Sequence, residues 1–335
     1  MKSIILMPFS QLYGAAIRAR LKLYEKGFFK SRDLGAPTVS VGNITVGGTG
    51  KTPLVARIAE ILAERGAKVC ILTRGYRREN ERDRILVSDG EKILADVEKA
   101  GDEPLELAEK LLGKTVLIAD ANRARAGRWA RAKFGITTFI LDDAFQHLKV
   151  RRDLDIVCID ATNPFGNGKL LPQGILREPL KNLKRADAVV ITRANLAANV
   201  SDLKTRIFDL NPNGKIFVSK NKLNPESGIW NLKSIAAFCA LGNPENFFAQ
   251  LRQEGFDLVF TKTFPDHHFY AQKDIDALER EARAKGAQCF ITTAKDAVKL
   301  KNLNFKIPFL AAKSELFFDD ETAFREMILK MGRRK

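Results

Sequence analysis

Six short runs in the first two-thirds of the chain are apolar almost without a break: TVSVGN (38–43), KVCILT (68–73), TVLIAD (115–120), TTFILD (137–142), LDIVCID (154–160) and DAVVIT (187–192). Segments of helical period such as LVARIAEILAERG (54–66) separate them. A strand with one wet face alternates apolar and polar residues, whereas a strand covered by helices on both faces does not. The pattern therefore predicts an α/β fold with a mostly parallel sheet flanked by helices. Two stretches depart from it. RILVSDGEKIL (84–94) reads as a hairpin about its Asp-Gly turn. NPFGNGKLLPQGILREP (163–179) is too dense in Gly and Pro for a regular element. Long loops inside compact domains tend to be functional.

After about residue 215 the texture changes. IFVSKNKL and IAAFCAL flank a polar turn, and helix and strand signals then alternate to the end. This predicts a core over 36–214, a two-stranded β-ribbon linker over 215–240 and a second, smaller α/β domain over 241–335. A length of 335 residues, beyond the point where a single core stops growing, agrees with two domains. No internal repeat is evident.

The segment 1–35 stands apart. On a helical wheel, Leu12, Tyr13, Ala16, Ile17, Leu21, Leu23, Tyr24 and Phe28 gather on one half, and Gln11, Arg18, Lys22, Glu25 and Lys26 on the other. Such a helix can pack on its own domain. It can equally lie in a membrane interface, its cations gaining about 1 kcal/mol each near anionic headgroups.

Composition narrows the field. With 45% apolar and 29% charged residues the chain is an ordinary globular one, which excludes disorder. A formal charge of +16 favours polyanionic partners: nucleic acid, an anionic membrane face or phosphorylated substrates. Cys70, Cys158, Cys239 and Cys289 lie far apart in apolar runs, so buried reduced thiols are expected rather than a zinc site or a disulfide frame. No run approaches the roughly 20 apolar residues of a membrane span. IILMPF is too short for a signal-peptide core, so the chain is expected in the cytoplasm.

The clearest chemistry is TVGGTGKTP (45–53). It follows the phosphate-loop spacing GxxxxGK[ST] except that Thr45 stands at the first glycine position. A strand precedes it and a helix follows, which is the context the motif needs. Thr45, Val46, Gly47, Gly48, Thr49, Gly50, Lys51 and Thr52 would hold a nucleotide, phosphate resting on backbone N–H groups at the helix N-terminus. Lys51 would reach the terminal phosphates and Thr52 would ligate Mg²⁺. Magnesium also needs a carboxylate at a strand end, and the doubled acid Asp142/Asp143 in FILDDAFQH is the best candidate. At Asp120 and Asp160 a strand-end turn or helix cap is the simpler reading. The NKxD signature of guanine recognition is absent, since TRAN (192–195) and TAKD (293–296) do not match it, so ATP is expected.

A hydroxyl acceptor requires a base. GDEP (101–104) offers Asp102 and Glu103 where a helix begins, although a capping role alone would also explain them. FPDHHFY (264–270) sets Asp266 beside His267 and His268. Adjacent histidines point different ways, so a shared metal is not expected, while one could reach across a cleft to a carboxylate. His147 sits close to the acid pair, although a lone His is more often structural. Basic residues cluster near strand ends: Arg74, Arg77 and Arg78; Arg123, Arg125, Arg128 and Arg131; and Arg177. Aromatics that would stack bases are few, which argues against single-stranded nucleic acid.

Taken in order, LYGAAIRARLKLYEKG, SVGNITVGGTGKTP, TRGYRR, GDEP, ILDDAFQH, GILREP, DHH and TAKDAVKL resemble the tetraacyldisaccharide 4′-kinase (lipid A 4′-kinase) family over residues 12–300. The resemblance implies a P-loop α/β core with a ribbon-linked smaller domain. It implies docking on the cytoplasmic face of the bacterial inner membrane, against anionic lipid, through the N-terminal helix. The reaction implied is γ-phosphate transfer from ATP to the 4′-hydroxyl of an acylated disaccharide lipid, tetraacyldisaccharide 1-phosphate, with neither nucleic acid nor an obligate protein partner. Asp102 then resembles the family's catalytic base, with His267 its partner in a dyad and Lys51 on the phosphates. Asp142 and Asp143 complete the metal site with Thr52, and Tyr76, Glu103, Arg123, Gln146, His147 and Arg177 line the substrate site. Ala294 stands where an acid is expected before Lys295. The rival reading is a P-loop ATPase switch that binds a nucleic-acid or protein partner and passes phosphate only to water.

Overall fold

The structure is a computed structural model that describes residues 5–76, 78–225 and 234–331. Positions 1–4, Arg77, 226–233 and 332–335 lie outside the described residues, and with them part of the expected 215–240 linker.

Every one of the six apolar runs is a strand: β1 (Thr38–Asn43), β2 (Val69–Thr73), β4 (Thr115–Ala119), β5 (Thr138–Asp142), β6 (Leu154–Asp160) and β7 (Ala188–Thr192). All their residues are buried, which is why their sequences do not alternate. β3 (Ile85–Ser88) pairs antiparallel with β4 at the sheet edge. The expected hairpin is thus reduced to a tight turn at Asp89–Gly90, closed by a single bridge between Ser88 and Ile93. The strand order is β10-β9-β11-β12-β8-β7-β6-β1-β5-β2-β4-β3, where β8 is Lys215–Pro225, β9 Ile235–Cys239, β10 Leu258–Thr263, β11 Cys289–Thr293 and β12 Phe309–Phe318.

One sheet therefore serves both halves of the molecule. Residues 215–218 of β8 run parallel to β7, and from Ser219 to Pro225 β8 runs antiparallel to β12. The ribbon's second strand is thus Phe309–Phe318 and not the 235–240 run, which instead forms β9, flanked by β10 and β11 in the smaller sheet. Every pair there is parallel: β9 with β10, β9 with β11, and β11 with β12.

Beyond β12 the chain returns to the core as α8 (Glu321–Leu329). Phe324, Met327 and Ile328 join the main apolar cluster with Leu54, Val55, Ile58 and Ile61 of α2 (Lys51–Ala63). Burial on this scale contributes about 1.5–3 kcal/mol per large side chain. It also explains why α2 is apolar round most of its surface: the sheet covers one side and α8 part of the other. Arg57–Glu321 and Arg325–Glu64 ion pairs fasten the rim. The remaining α-helices of nine residues or more are α1 (Met7–Glu25), α3 (Asp102–Lys110), α4 (Arg123–Phe134), α5 (Val200–Leu210), α6 (Pro244–Gln253) and α7 (Gln272–Ala284).

α1 is only half packed. Ser10 and Gly14 are buried against the 163–179 loop, where Ser10 Oγ donates to the Leu170 carbonyl at 2.7 Å and Tyr13 Oη to that of Arg177 at 3.0 Å. Gly14 permits this approach, since a Cβ there would stand 2.7 Å from Leu170 Cδ1. The expected apolar half is split: Tyr13, Ile17, Leu21, Leu23 and Tyr24 are half-buried, while Leu12 (71% exposed), Ala16 and Phe28 (74%) face outward, as does Phe9 (60%) just ahead of them. No helix among the described residues is long and apolar enough to cross a membrane. All four cysteines are free and buried, and burial pushes the Cys158 thiol up to about 12.

Candidate active site

The phosphate loop leaves β1 and opens α2, and its neighbours hold it on three sides. Thr192 Oγ1 donates to the Thr49 carbonyl at 2.9 Å, and Arg193 Nη1 to that of Gly48 at 2.7 Å. Val46 N–H donates to the Ile175 carbonyl at 2.8 Å. Thr45 is bridged to Leu176 of the 163–179 loop in extended backbone, which accounts for the absence of glycine there: the position needs no left-handed conformation. Gly47 (φ 102°) and Gly50 (φ 77°) do need it, and Gly50 places the loop's last turn against Thr192. Val46, Gly47 and Gly48 lie open at the surface. Thr49 Oγ1 is buried and has no hydrogen-bond partner among the described residues.

The acid pair follows β5 directly. Thr73 Oγ1 donates to Asp142 Oδ2 at 3.0 Å. Burial, with the neighbouring Glu103 and Asp143 carboxylates, pushes the Asp142 carboxyl up to about 6. Asp143 has φ 45°, and its carboxylate faces Lys51 Nζ at 3.6 Å and Arg177 Nη1 at 2.9 Å. Burial alone would raise it, but those two cations hold it well below the usual carboxylate range. Arg123, 4% exposed, meets the pair from beneath, its guanidinium donating to the backbone carbonyls of Asp142 and Asp143. Its contact with the cleft is through that backbone.

Gln146 and His147 lie one turn on. Gln146 Nε2 donates to the Asn43 carbonyl at 3.0 Å, and the Gln146 carbonyl accepts from Arg20 of α1, also at 3.0 Å. Burial and then the nearby Arg123 and Arg152 push the His147 imidazole down to about 3, which leaves it uncharged at neutral pH.

Across the cleft, α3 presents Asp102 from the core to the smaller sheet. His267 Nδ1 stands 2.9 and 2.8 Å from the two Asp102 carboxylate oxygens. Its loop position, φ 62°, is left-handed, a conformation uncommon outside glycine that aims the ring back at the core. Burial would raise the Asp102 carboxyl, yet the His267 hydrogen bond and the nearby Lys295 and Lys299 cations outweigh it and hold it below the ordinary value. Lys295 Nζ lies 3.4 Å from Glu103 Oε1, 3.5 Å from Asp266 Oδ1 and 3.9 Å from Asp102 Oδ2. Lys299 Nζ lies 3.8 Å from Asp102 Oδ2 and 2.7 Å from Asp296 Oδ1. Tyr76 sets its ring edge-on to His267, centroids 6.2 Å apart. His268 turns away to Asp274, so the two histidines share no partner.

Sequence reasoning passed over Lys295, Asp296 and Lys299, although TAKDAVKL carried the signal: lysines four apart on a helical turn after a strand share one face. At position 294, where an acid was expected, stands Ala; the carboxylates round Lys295 are those of Glu103, Asp102 and Asp266.

The arrangement sets a phosphate cradle and an acid–histidine pair within electrostatic reach of one shared residue. Glu103 links them, its charge bearing on both Asp142 and Lys295. The family model described as tetraacyldisaccharide-1-P 4′-kinase matches residues 2–333. Relatives named tetraacyldisaccharide 4′-kinase include a Geobacter metallireducens protein, 40% identical over 86% of this chain and 86% of its own. Another, from Koribacter versatilis, is 37% identical over 98% of this chain and 99% of its own. Among solved structures, the "apo" form of LpxK from Aquifex aeolicus in complex with ATP is 31% identical and matches 98% of this chain and 99% of that one with a TM-score of 0.79. A phosphate-loop turn at the core half of the sheet, a histidine brought to its acid from the smaller half, and likeness along nearly the whole length lead to one conclusion: the chain belongs to the tetraacyldisaccharide-1-phosphate 4′-kinase family.

Proposed function

We propose that Asp102 takes the proton of the sugar 4′-hydroxyl while the phosphate loop presents the γ-phosphate of ATP, so that the protein makes the 4′-phosphorylated lipid from tetraacyldisaccharide 1-phosphate. The observation that carries this is the meeting of Asp102 from the core with His267 from the smaller sheet, beside Glu103, whose charge bears on Asp142 of the acid pair. In the transfer, the sugar oxygen bonds to the γ-phosphorus as the bridge to the β-phosphate breaks. The hydroxyl proton passes to the Asp102 carboxylate, and ADP leaves with the electron pair of the broken bond. The depressed value keeps Asp102 ionised at neutral pH, the form that accepts a proton, at some cost in basicity. Lys51, now 3.6 Å from Asp143, is within reach of a terminal phosphate in the loop.

The residues present fit a magnesium ion. Burial and the crowding of Asp142 by Glu103 and Asp143 leave a carboxyl whose charged form a cation would restore, with Thr52 in the first turn of α2. Thr52, Asp142 and Asp143 would hold it, and when bound it would neutralise charge on the phosphate oxygens. Tyr76, Glu103, Gln146, His147 and Arg177 would position the sugar, while Arg123 would act through the strand end it supports.

The outward Phe9 and Leu12, with Arg18 and Lys22 on the same helix and Lys26 at its C-cap, support a peripheral seat on an anionic lipid surface at the cytoplasmic face of the inner membrane. Leu12→Ser is expected to lower partitioning onto vesicles containing anionic lipid roughly tenfold, the loss of about 1.5 kcal/mol of apolar burial. Its thermal midpoint should barely move, since Leu12 is 71% exposed. Flotation with unchanged recovery would remove the helix from this role. The reading as a whole is tested by incubating the protein with ATP, Mg²⁺ and the disaccharide lipid. Gain of a second phosphate on the lipid supports it. ADP release with unaltered lipid would favour the ATPase switch instead.

A further inference from the structure

The groups that face His267 determine where its proton sits. Nδ1 meets both oxygens of Asp102, at 2.9 and 2.8 Å, and an ionised carboxylate only accepts, so Nδ1 carries the hydrogen. Nε2 meets Lys295 Nζ at 3.3 Å, and an ammonium only donates, so Nε2 must offer its lone pair. Asp266 Oδ2, the other charged group on that side, stands at 3.8 Å, beyond hydrogen-bond reach. Tyr76 touches the ring edge-on, and Glu103 and Lys299 face the dyad through Lys295 and Asp102.

We infer that Lys295 is a positioning residue that holds His267 in the tautomer with Nδ1 protonated and Nε2 bare, so that Asp102 faces a neutral imidazole and keeps its basicity. The inference rests on the kinase reading for its consequence in turnover, but the tautomer itself does not depend on it. Lys295 is itself held in place: it is only 12% exposed, between Glu103 and Asp266. Without Lys295 the nearest charged group to Nε2 is the Asp266 carboxylate, an acceptor that invites a second proton. Asp102 would then face an imidazolium, a stronger partner that would weaken it as a base. Lys295 reaches Asp102 from the smaller sheet, so the base is complete only when both sheets are in register.

Nitrogen-15 NMR of the histidine side chains in the full-length protein tests this directly. The chain has only three histidines, so a His267→Gln spectrum assigns the signal by its disappearance. At pH 7.5 the expected pattern is a protonated Nδ1 and a bare, hydrogen-bonded Nε2. Lys295→Met should shift Nε2 toward the protonated form and lower kcat about tenfold with KM for ATP unchanged, a loss within the range of general-base effects. Adding Asp266→Asn to that variant should return part of both. A wild-type spectrum with Nε2 protonated would overturn the inference, as would Lys295→Met with full kcat. Should Lys295→Met fail to fold, the wild-type spectrum alone decides. A bare Nε2 in a protein that leaves the lipid unphosphorylated would sink the kinase reading and spare this one.

Discussion

Asp102→Asn is expected to lower kcat by about 10³–10⁴-fold while ATP affinity stays within about twofold, the upper range for removal of a general base. Asparagine keeps an oxygen to accept the Glu103 amide, a contact that Asp102 Oδ1 makes at 2.9 Å, so α3 should still begin where it does. It cannot accept a hydroxyl proton, and it offers Nδ1 of His267 a neutral partner. Single-turnover phosphorylation measured beside nucleotide binding separates the two effects. Full activity would remove Asp102 from the chemistry, and a matched loss of ATP binding would place it in the nucleotide site. The same carboxylate has a stability signature. Its folded value is depressed, so its contribution is complete above its unfolded value of about 3.9 and drains as pH falls through the lower folded value. Thermal midpoints measured from pH 6 down to 3 should therefore fall less steeply for Asp102→Asn than for wild type.

Gly42→Ala is expected to cost about 3 kcal/mol, the upper end for overpacking, or roughly a hundredfold in the folding equilibrium. A Cβ at Gly42 would stand 2.5 Å from the Phe145 amide nitrogen and 2.6 Å from its Cβ. The first of these obstacles is backbone, and Phe145 is fully buried, so rotation of a side chain does not relieve the clash. Because the segment that must yield carries Asp142 and Asp143, KM for ATP should rise as well. Denaturant melts should show the drop, and a chain this long would lose about 4 °C in its midpoint. A wild-type melt would mean that the two segments are not in this contact.

How much of this was legible beforehand follows from what each feature depends on. The six core strands could be read because burial on both faces writes an unbroken apolar run into six neighbouring residues. The phosphate loop could be read because its chemistry fits into eight. Thr45 looked like a defect in the string and is ordinary in space, since a strand-like bridge to Leu176 needs no glycine. β8 was legible as a strand but its partner was not: Phe309–Phe318 lies some ninety residues downstream, and pairing at that range leaves no local mark. The Asp102–His267 contact spans 165 residues and was named through resemblance, not spacing. Lys295 and Lys299 were missed for a related reason, because a lysine on a helical turn looks solvated until the other sheet arrives.

The smaller α/β unit is entered along β8 and left along β12, side by side in opposite directions. It is thus a graft, stitched into the parent fold at a single seam whose two edges touch. Excising everything between Lys220 and Phe317 and closing the gap with a short turn would leave the parent's own strands and its final helix continuous. The nucleotide cradle would survive such surgery, and the histidine that answers Asp102 would not.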